Sequence, residues 1–196
     1  MGKPARKRII LASRSKPRRR LLKQVGLKFV TCASSAKESN KILTTCKDLV
    51  ISNALKKASD VAGRFKSGVV IGADTVVLVG KKIIGKPRNL KDAARTLKLL
   101  SSKPQWVYSG IAVIDIESGK FFTDYEKTKV YIYKLTDAEI RRYFKRVSPL
   151  DKAGSFDVQG YGSIFIDRIE GCFYNVVGLP LAKLAKLLVK LGIDIF

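Results

Sequence analysis

Asp74 lies in Val69-Val70-Ile71-Gly72-Ala73-Asp74-Thr75-Val76-Val77, a mostly β-branched apolar run that follows Gly68 and reads as a buried strand. An ionised carboxylate beside such a strand is costly unless it is paired, hydrogen-bonded or bound to metal. Two readings are open: a turn where the strand ends, the Asp side chain bonding the following backbone, or a catalytic or metal-binding group. Upstream, Ser13-Arg14-Ser15-Lys16-Pro17-Arg18-Arg19-Arg20 joins hydroxyls and guanidinium groups to a helix start. Helix N–H groups, hydroxyls and arginines together make a phosphate site, although a solvated basic helix face would carry the same residues. Lys57, Glu38 and Lys86, the last held between Gly85 and Pro87, are further candidates, as is the loop Leu150 to Gly162 with Lys152 and Gln159. Their plain alternatives are a snorkelling lysine for Lys57, a solvated surface acid for Glu38 and a glycine-rich structural turn for the loop.

Attack on a phosphate needs the anionic oxygens neutralised before a nucleophile approaches. Ser13, Arg18, Lys57, Lys86 and Lys152 could supply that field. A metal ion for the same chemistry needs hard oxygen ligands, for which Glu38 and Asp74 are the candidates. The chain has no histidine, so Ser-His-Asp and Cys-His hydrolase schemes are excluded. The base or water-positioning group is then a carboxylate, a lysine or a metal-bound water, and Asp74 is the best placed of these.

The elements that must hold these residues follow from the apolar pattern. Arg8 to Ser13 reads as a strand, and Pro17 falls in the first turn of a helix with Leu21, Leu22, Val25 and Leu27 on one face and Gly26 at its stop. Lys28 to Cys32 reads as a short strand and Ala33 to Ile42 as a polar loop. A helical pattern starts at Asp48 and carries Lys56 and Lys57. Gly80-Lys81 turns a hairpin after the central strand. Gly80 to Lys86 also spells G-x-x-x-x-G-K, but Pro87 stands where a P-loop has Ser or Thr and opposes helix entry; the helix begins near Leu90 behind Asn89 as N-cap. Gln105 to Ile116 and Phe121 to Leu135 read as strands joined by Glu117-Ser118-Gly119-Lys120. Thr136 to Glu139 is a capping box opening a helix to about Arg146. Ser163 to Ile169 reads as a strand and Leu181 to Leu191 as a final helix. This alternation predicts one α/β domain of mixed α+β character, with a mixed sheet.

A chain of 196 residues suits one domain. No apolar run reaches the ~20 residues needed to cross a bilayer, and the basic start is too soon interrupted for a signal peptide, so the expectation is a soluble cytoplasmic protein. Three scattered cysteines, Cys32, Cys46 and Cys172, lack zinc or thioredoxin spacing and suit a reducing compartment. The net charge of +23 favours anionic partners: nucleic acid, nucleotides, phosphorylated metabolites or an anionic membrane surface. A generally lysine-rich background would give the same value.

In order and spacing, these segments resemble the Maf family of nucleoside triphosphate pyrophosphatases over nearly the whole length. The resemblance is carried by Leu11-Ala12-Ser13-Arg14-Ser15 with the following arginines, Lys57-Ala58, Ile71-Gly72-Ala73-Asp74-Thr75, Gly85-Lys86-Pro87, Asp151-Lys152-Ala153-Gly154, Gln159-Gly160 and Val177-Gly178-Leu179-Pro180. It implies hydrolysis of a nucleoside triphosphate to the monophosphate and pyrophosphate with Mg²⁺ or Mn²⁺. It implies also one domain over 1–196 with two lobes around a twisted mixed sheet, a substrate cleft between them, and a homodimer. On the matching positions the expected substrate contacts are Ser13, Arg18, Arg19, Lys57, Thr75, Lys86, Lys152 and Gln159; by their donor chemistry Glu38 and Asp74 are the expected metal ligands, and the hypothesis for the reaction is attack at the α-phosphate by a water that Asp74 orients. The family's Ser-x-Ser-Pro-Arg-Arg is altered: Lys16 replaces the Pro, Pro17 the first Arg, Arg18 matches the second, and Arg19 could compensate. Near Gln105 the family often has His. Gly72-Ala73-Asp74-Thr75, Asp151-Lys152 and Gln159-Gly160 resemble the branch acting on dTTP, UTP and modified pyrimidine nucleotides, with 7-methyl-GTP as the other branch. The family suggests a house-cleaning role with a link to cell-division arrest. From a different class, a nucleic-acid-binding protein using Lys3 to Arg20 along the phosphate backbone is the competing reading.

Overall fold

The structure is a computed structural model that describes residues 7–39, 45–150 and 152–195. Its elements are β1 (Ile9–Leu11), α1 (Lys16–Gln24), β2 (Val30–Thr31), α2 (Cys46–Ala62), β3 (Val69–Val79), β4 (Lys82–Ile84), α3 (Leu90–Leu100), β5 (Gln105–Asp115), β6 (Phe121–Ile132), α4 (Asp137–Arg146), β7 (Ile166–Glu170), α5 (Phe173–Val177) and α6 (Leu181–Val189). The strands form an open mixed sheet in the order β2-β1-β3-β5-β6-β7, with β4 paired to β3. This is the mixed α/β architecture expected from the alternation.

Local chemistry places most helix starts. Ser15 caps α1 by accepting from the Arg18 N–H, Asn89 caps α3 by accepting from the Asp92 N–H, and Thr136 and Glu139 form the reciprocal capping box of α4. Thr45 caps α2, which starts two residues before the sequence pattern suggests. The β6 strand stops at Ile132 rather than Leu135, where a register shift beside Tyr131 and Ile132 ends its pairing with β7. The short helix α5 was not expected from the sequence: at five residues it is too brief to show a period. The loop from Leu150 holds two short 3₁₀ turns, Ala153–Ser155 and Tyr161–Phe165.

By their contacts the residues divide into two compact units. The first comprises Met1–Thr75, Ser109–Glu126 and Gly178–Phe196. In it β1 runs parallel to β2 on one side and to β3 on the other, Leu11 lying opposite both Thr31 and Ile71. The chain leaves β1 through α1 to reach β2, then returns through α2 to the far side of β1. The strand order therefore reverses between β1 and β3, where the ends of parallel strands leave a ligand crevice in α/β sheets. Ile10, Val70 and Ala112 of the strands, with Ala12 just past β1, bury Ala54, Ala58 and Val61 of α2. That contact is unusually close. A Cβ on Gly72 would sit 2.2 Å from the Ala54 carbonyl oxygen, and one on Gly110 would sit 2.2 Å from that of Val50. Only glycine lets the α2 backbone lie directly on the sheet here.

The second unit comprises Val76–Tyr108 and Lys127–Val177. Its strand residues Val77, Val79, Val107, Val130 and Ile132 pack against Leu97 and Leu100 of α3 and Ile140 and Tyr143 of α4. Gly80-Lys81 turns the β3–β4 hairpin, with Val79 opposite Lys82. Cys32, Cys46 and Cys172 are all free thiols. Among the described residues, no helix is long and apolar enough to cross a membrane.

Candidate active site

The strand β3 does not turn at Asp74: it continues through Asp74 and Thr75 to Val79, which removes the strand-end reading of the acid. Asp74 is only 4% exposed, and its side chain shares a face with Gly72, the face on which α2 lies. The close seating of α2 brings two of its residues, one turn apart, onto the carboxylate. Lys57 Nζ is 2.7 Å from Asp74 Oδ1, and Asn53 Nδ2 donates to Oδ2 at 2.9 Å. Lys57 Nζ is also 2.8 Å from Glu38 Oε1 and 3.4 Å from the Ala73 carbonyl. The ammonium thus stands between the two carboxylates proposed to hold metal. Lys57 is buried and Glu38 exposed, so the snorkelling reading of Lys57 does not hold.

Asn53 is the residue that sequence reasoning missed. It is 1% exposed and uses its whole amide: Oδ1 accepts from the Ser39 N–H at 2.9 Å, while Nδ2 donates to the Ser39 carbonyl at 3.0 Å and to Asp74. One side chain thereby fixes both Asp74 and the backbone next to Glu38. The signal was available as a polar pair four residues apart, Asn53 and Lys57, on a helix whose other buried residues, Cys46, Leu49, Val50, Ala54, Ala58 and Val61, are apolar. The far end of the Glu38 segment is held as well. Asp60 accepts from Arg64, Ser34 and the Ser35 N–H, and those bonds, led by Arg64, hold its carboxyl well below the usual range.

Thr75 points to the opposite face of β3, where Arg18 of α1 meets it. Arg18 Nη2 donates to Thr75 Oγ1 at 2.9 Å, Nη1 to the Ala73 carbonyl at 3.0 Å and to Ser13 Oγ at 3.3 Å, and Nε to the Gly178 carbonyl at 2.8 Å. Gly178 can present that carbonyl because it holds φ +114°, which other residues rarely adopt. Thr75 and the buried Ser109 share a hydrogen bond at 2.8 Å. Every acceptor bonded to the guanidinium is neutral, so its charge is solvated by dipoles and makes no direct ion pair. Burial lowers its pKa from the ordinary value while Asp74 and Glu38 raise it; Arg remains cationic in proteins. Ser13 Oγ also accepts from the Ser15 N–H, which ties the end of β1 to the start of α1. Arg19 lies half-buried one residue further along that helix.

Lys86, Lys152 and Gln159 belong to the second unit. There the Gly154 N–H donates to the Gly85 carbonyl at 3.4 Å, which brings the Gly85-Lys86-Pro87 stretch against the Lys152 turn. Lys86 and Gln159 are exposed; Lys152 Nζ donates to the Ser148 carbonyl at 3.0 Å. Asp151, Asn40 to Ile42 of the polar loop and the basic residues before Lys7 lie outside the described residues.

The donor chemistry at Glu38 and Asp74 fits a hard divalent cation. Two carboxylates around one ammonium leave a net negative charge, and both groups offer oxygen donors. Among the described residues no cluster of three or more His, Cys, Asp or Glu side chains forms. A two-carboxylate site suits an ion that completes its shell with water and phosphate oxygens, as Mg²⁺ does.

Residues 8–191 match the family described as Maf-like protein. The chain is 44% identical over 191 residues to a protein of Methanosarcina barkeri named dTTP/UTP pyrophosphatase, covering 97% of each. It is 43% identical over 188 residues to one of the same name from Dictyoglomus turgidum, covering 95% of this chain and 97% of that one. A third so named, from Bacillus cereus, is 44% identical over 189 residues, covering 96% and 98%. These near-full-length matches run through the sheet, the glycines beneath α2 and both clusters on β3, and on them the chain belongs to the Maf family.

Proposed function

We propose that the protein hydrolyses nucleoside triphosphates, dTTP and UTP foremost, to the monophosphate and pyrophosphate. The observation that carries this is the pair of oppositely charged clusters on β3 at the strand-order reversal: a net-negative group of Asp74, Glu38 and Lys57, and a net-positive group of Arg18 with Ser13 and the α1 N-terminus. A triphosphate with its metal ion needs both signs of charge close together. The names of the relatives support dTTP and UTP over 7-methyl-GTP.

In this mechanism Ser13, the α1 N–H groups and Arg18 bind phosphate oxygens at an anion site of helix N-terminal type, and Arg19 adds charge beside it. Thr75 holds Arg18 in place. Asp74, oriented by Asn53 and Lys57, accepts a hydrogen bond from the attacking water. The water oxygen forms a bond to the α-phosphorus, the bond from that phosphorus to the bridging oxygen of the β-phosphate breaks, and pyrophosphate leaves. The water proton passes toward the Asp74 carboxylate, and Lys57 offsets charge developing on the phosphate oxygens. Mg²⁺ or Mn²⁺ held by Glu38 and Asp74 would neutralise phosphate charge when bound. Lys86, Lys152 and Gln159 enter as substrate ligands on the family resemblance. A homodimer, a cytoplasmic setting and a house-cleaning role on modified pyrimidine nucleotides rest on that resemblance too.

The test is pyrophosphate release from dTTP, UTP, CTP, 7-methyl-GTP, GTP, ATP and 5-methyl-UTP with Mg²⁺, with Mn²⁺ and with EDTA. The expected result is metal-dependent release strongest with the thymidine and uridine nucleotides. Strongest release from 7-methyl-GTP would keep the reaction and overturn the base preference; no release from a folded sample would overturn the reaction.

A further inference from the structure

The second unit has a sheet face that the hydrolysis does not use. Along β5, Gln105 and Val107 are buried while Trp106 and Tyr108 are half-exposed. Along β6, Thr128, Val130 and Ile132 are buried while Lys127, Lys129 and Tyr131 are not. The buried set faces the core built by α3 and α4; the alternate residues face away from it. On that outward face aromatic rings and cations interleave. Lys127 Nζ lies 4.8 Å and Lys129 Nζ 5.6 Å from the Trp106 ring centroid, Lys129 Nζ is 5.0 Å from that of Tyr131, and the Arg168 guanidinium of β7 lies 3.6 Å over Tyr131. Tyr133 follows at 57% exposure. Arg168 is matched by Asp167 and Glu170, and Glu170 also accepts from the Tyr131 hydroxyl and lies in the field of Lys129; Lys127, Lys129 and Arg168 together outnumber these two carboxylates.

We propose that this face, centred on Trp106, Lys129 and Tyr131, binds single-stranded nucleic acid. Flat rings on an open sheet face stack bases, and the lysines between them pair with the phosphates that link those bases. Trp106 and Tyr131 stand on adjacent strands, which are spaced about 5 Å apart, and Tyr133 follows just past β6, so the rings are spread over more than one base. The net charge of +23 draws a polyanion to the molecule. None of the motifs behind the triphosphate reading falls on this face, so the two proposals stand or fall separately. This face, in which aromatics and cations alternate, is separate from the basic N-terminal stretch Lys3 to Arg20.

Trp106 is the only tryptophan in the chain, so its emission reports on this face alone. The full-length protein is titrated with a fluorescein-labelled 12-nucleotide oligouridylate, reading anisotropy, and with the unlabelled oligomer, reading Trp106 emission. The expected result is saturable quenching with the same midpoint as the anisotropy change. Affinity should fall with salt at a slope of about −0.7 per phosphate neutralised. Trp106→Ala is expected to weaken binding roughly 5- to 100-fold and Trp106→Phe to restore most of it, while Lys129→Glu weakens binding and flattens the salt slope. All three variants should keep triphosphate hydrolysis and the wild-type melting temperature. Binding that leaves the emission unchanged and survives Trp106→Ala overturns the proposal. So does equal quenching by UMP at the same nucleotide concentration, which would make the face a mononucleotide site. Emission that changes with protein concentration alone would assign it to a second copy of the chain and overturn it likewise.

Discussion

Two polar clusters lie on adjacent residues of one strand, and each answers burial differently. At Asp74 charge meets charge: an ammonium stands between two carboxylates, and Asn53 fills the remaining bond. At Thr75 a guanidinium meets only carbonyls and hydroxyls. Both clusters are hydrogen-bonded, as buried polar groups must be, but the first keeps a net negative charge and the second a net positive one. The strand's alternation sets them on opposite faces, but they stay close: the Ala73 carbonyl accepts from both Lys57 and Arg18, and burial lowers the Arg18 pKa while Asp74 and Glu38 raise it. Hydrogen-bond satisfaction and direct charge pairing are separate design variables, and a charge held by dipoles with no ion pair of its own is ready for a ligand of opposite sign.

The largest effect is expected at Asp74. Asp74→Asn should cut turnover by about 10³-fold, the scale of a positioned acid–base group, with an unchanged circular dichroism spectrum; near-wild-type turnover would remove Asp74 from the chemistry. Next comes the seating of α2. Gly72→Ala should cost about 3 kcal/mol in urea unfolding, because its new methyl meets backbone rather than a movable side chain, and should cut activity with it. Asn53→Leu keeps the packing but releases Asp74 and Ser39. Turnover should fall about 10- to 100-fold with a raised metal requirement, the scale seen when partners of metal ligands are lost. An effect on stability alone would make Asn53 merely structural.

On the positive side, Arg18→Lys keeps the charge but loses the fork that reaches Gly178 and Thr75. It should cost about 1–2 kcal/mol of stability and raise the KM for triphosphate more than it lowers kcat. The smallest effect is at Asp60. Its carboxyl is held below the ordinary 3.8 in the folded protein, so its contribution is present above that value and fades as pH falls below about 4. The protection factor at the Ser35 amide, which removes the intrinsic pH dependence of exchange, should hold from pH 7 to about 4 and drop only below that. In Asp60→Asn the protection should be weaker throughout and lose this pH dependence.

The caps of α3 and α4, the Gly80-Lys81 hairpin and the general strand–helix alternation were readable from the chain, because each depends on residues within four positions of one another. Asp74 could be singled out but not interpreted: a strand passing through an acid and a strand ending at one look alike until the partners are seen. Lys57 suffered the same ambiguity, since burial is not a local property. Asn53 went unread because its three partners come from Ser39 and Asp74, 14 and 21 residues away. Trp106, Lys129 and Tyr131 likewise become neighbours only when β5, β6 and β7 lie side by side.

The amino-acid order alone settled the family, the mixed α/β class and the residue types fit for phosphate chemistry, because spacing along a strand or helix dictates period, caps and turns. Tertiary structure alone decided which charges cancel. It placed Lys57 between two acids and surrounded Arg18 with neutral dipoles, because α2 can press onto Gly72 and Gly110 only after β3 and β5 have come to lie beneath it.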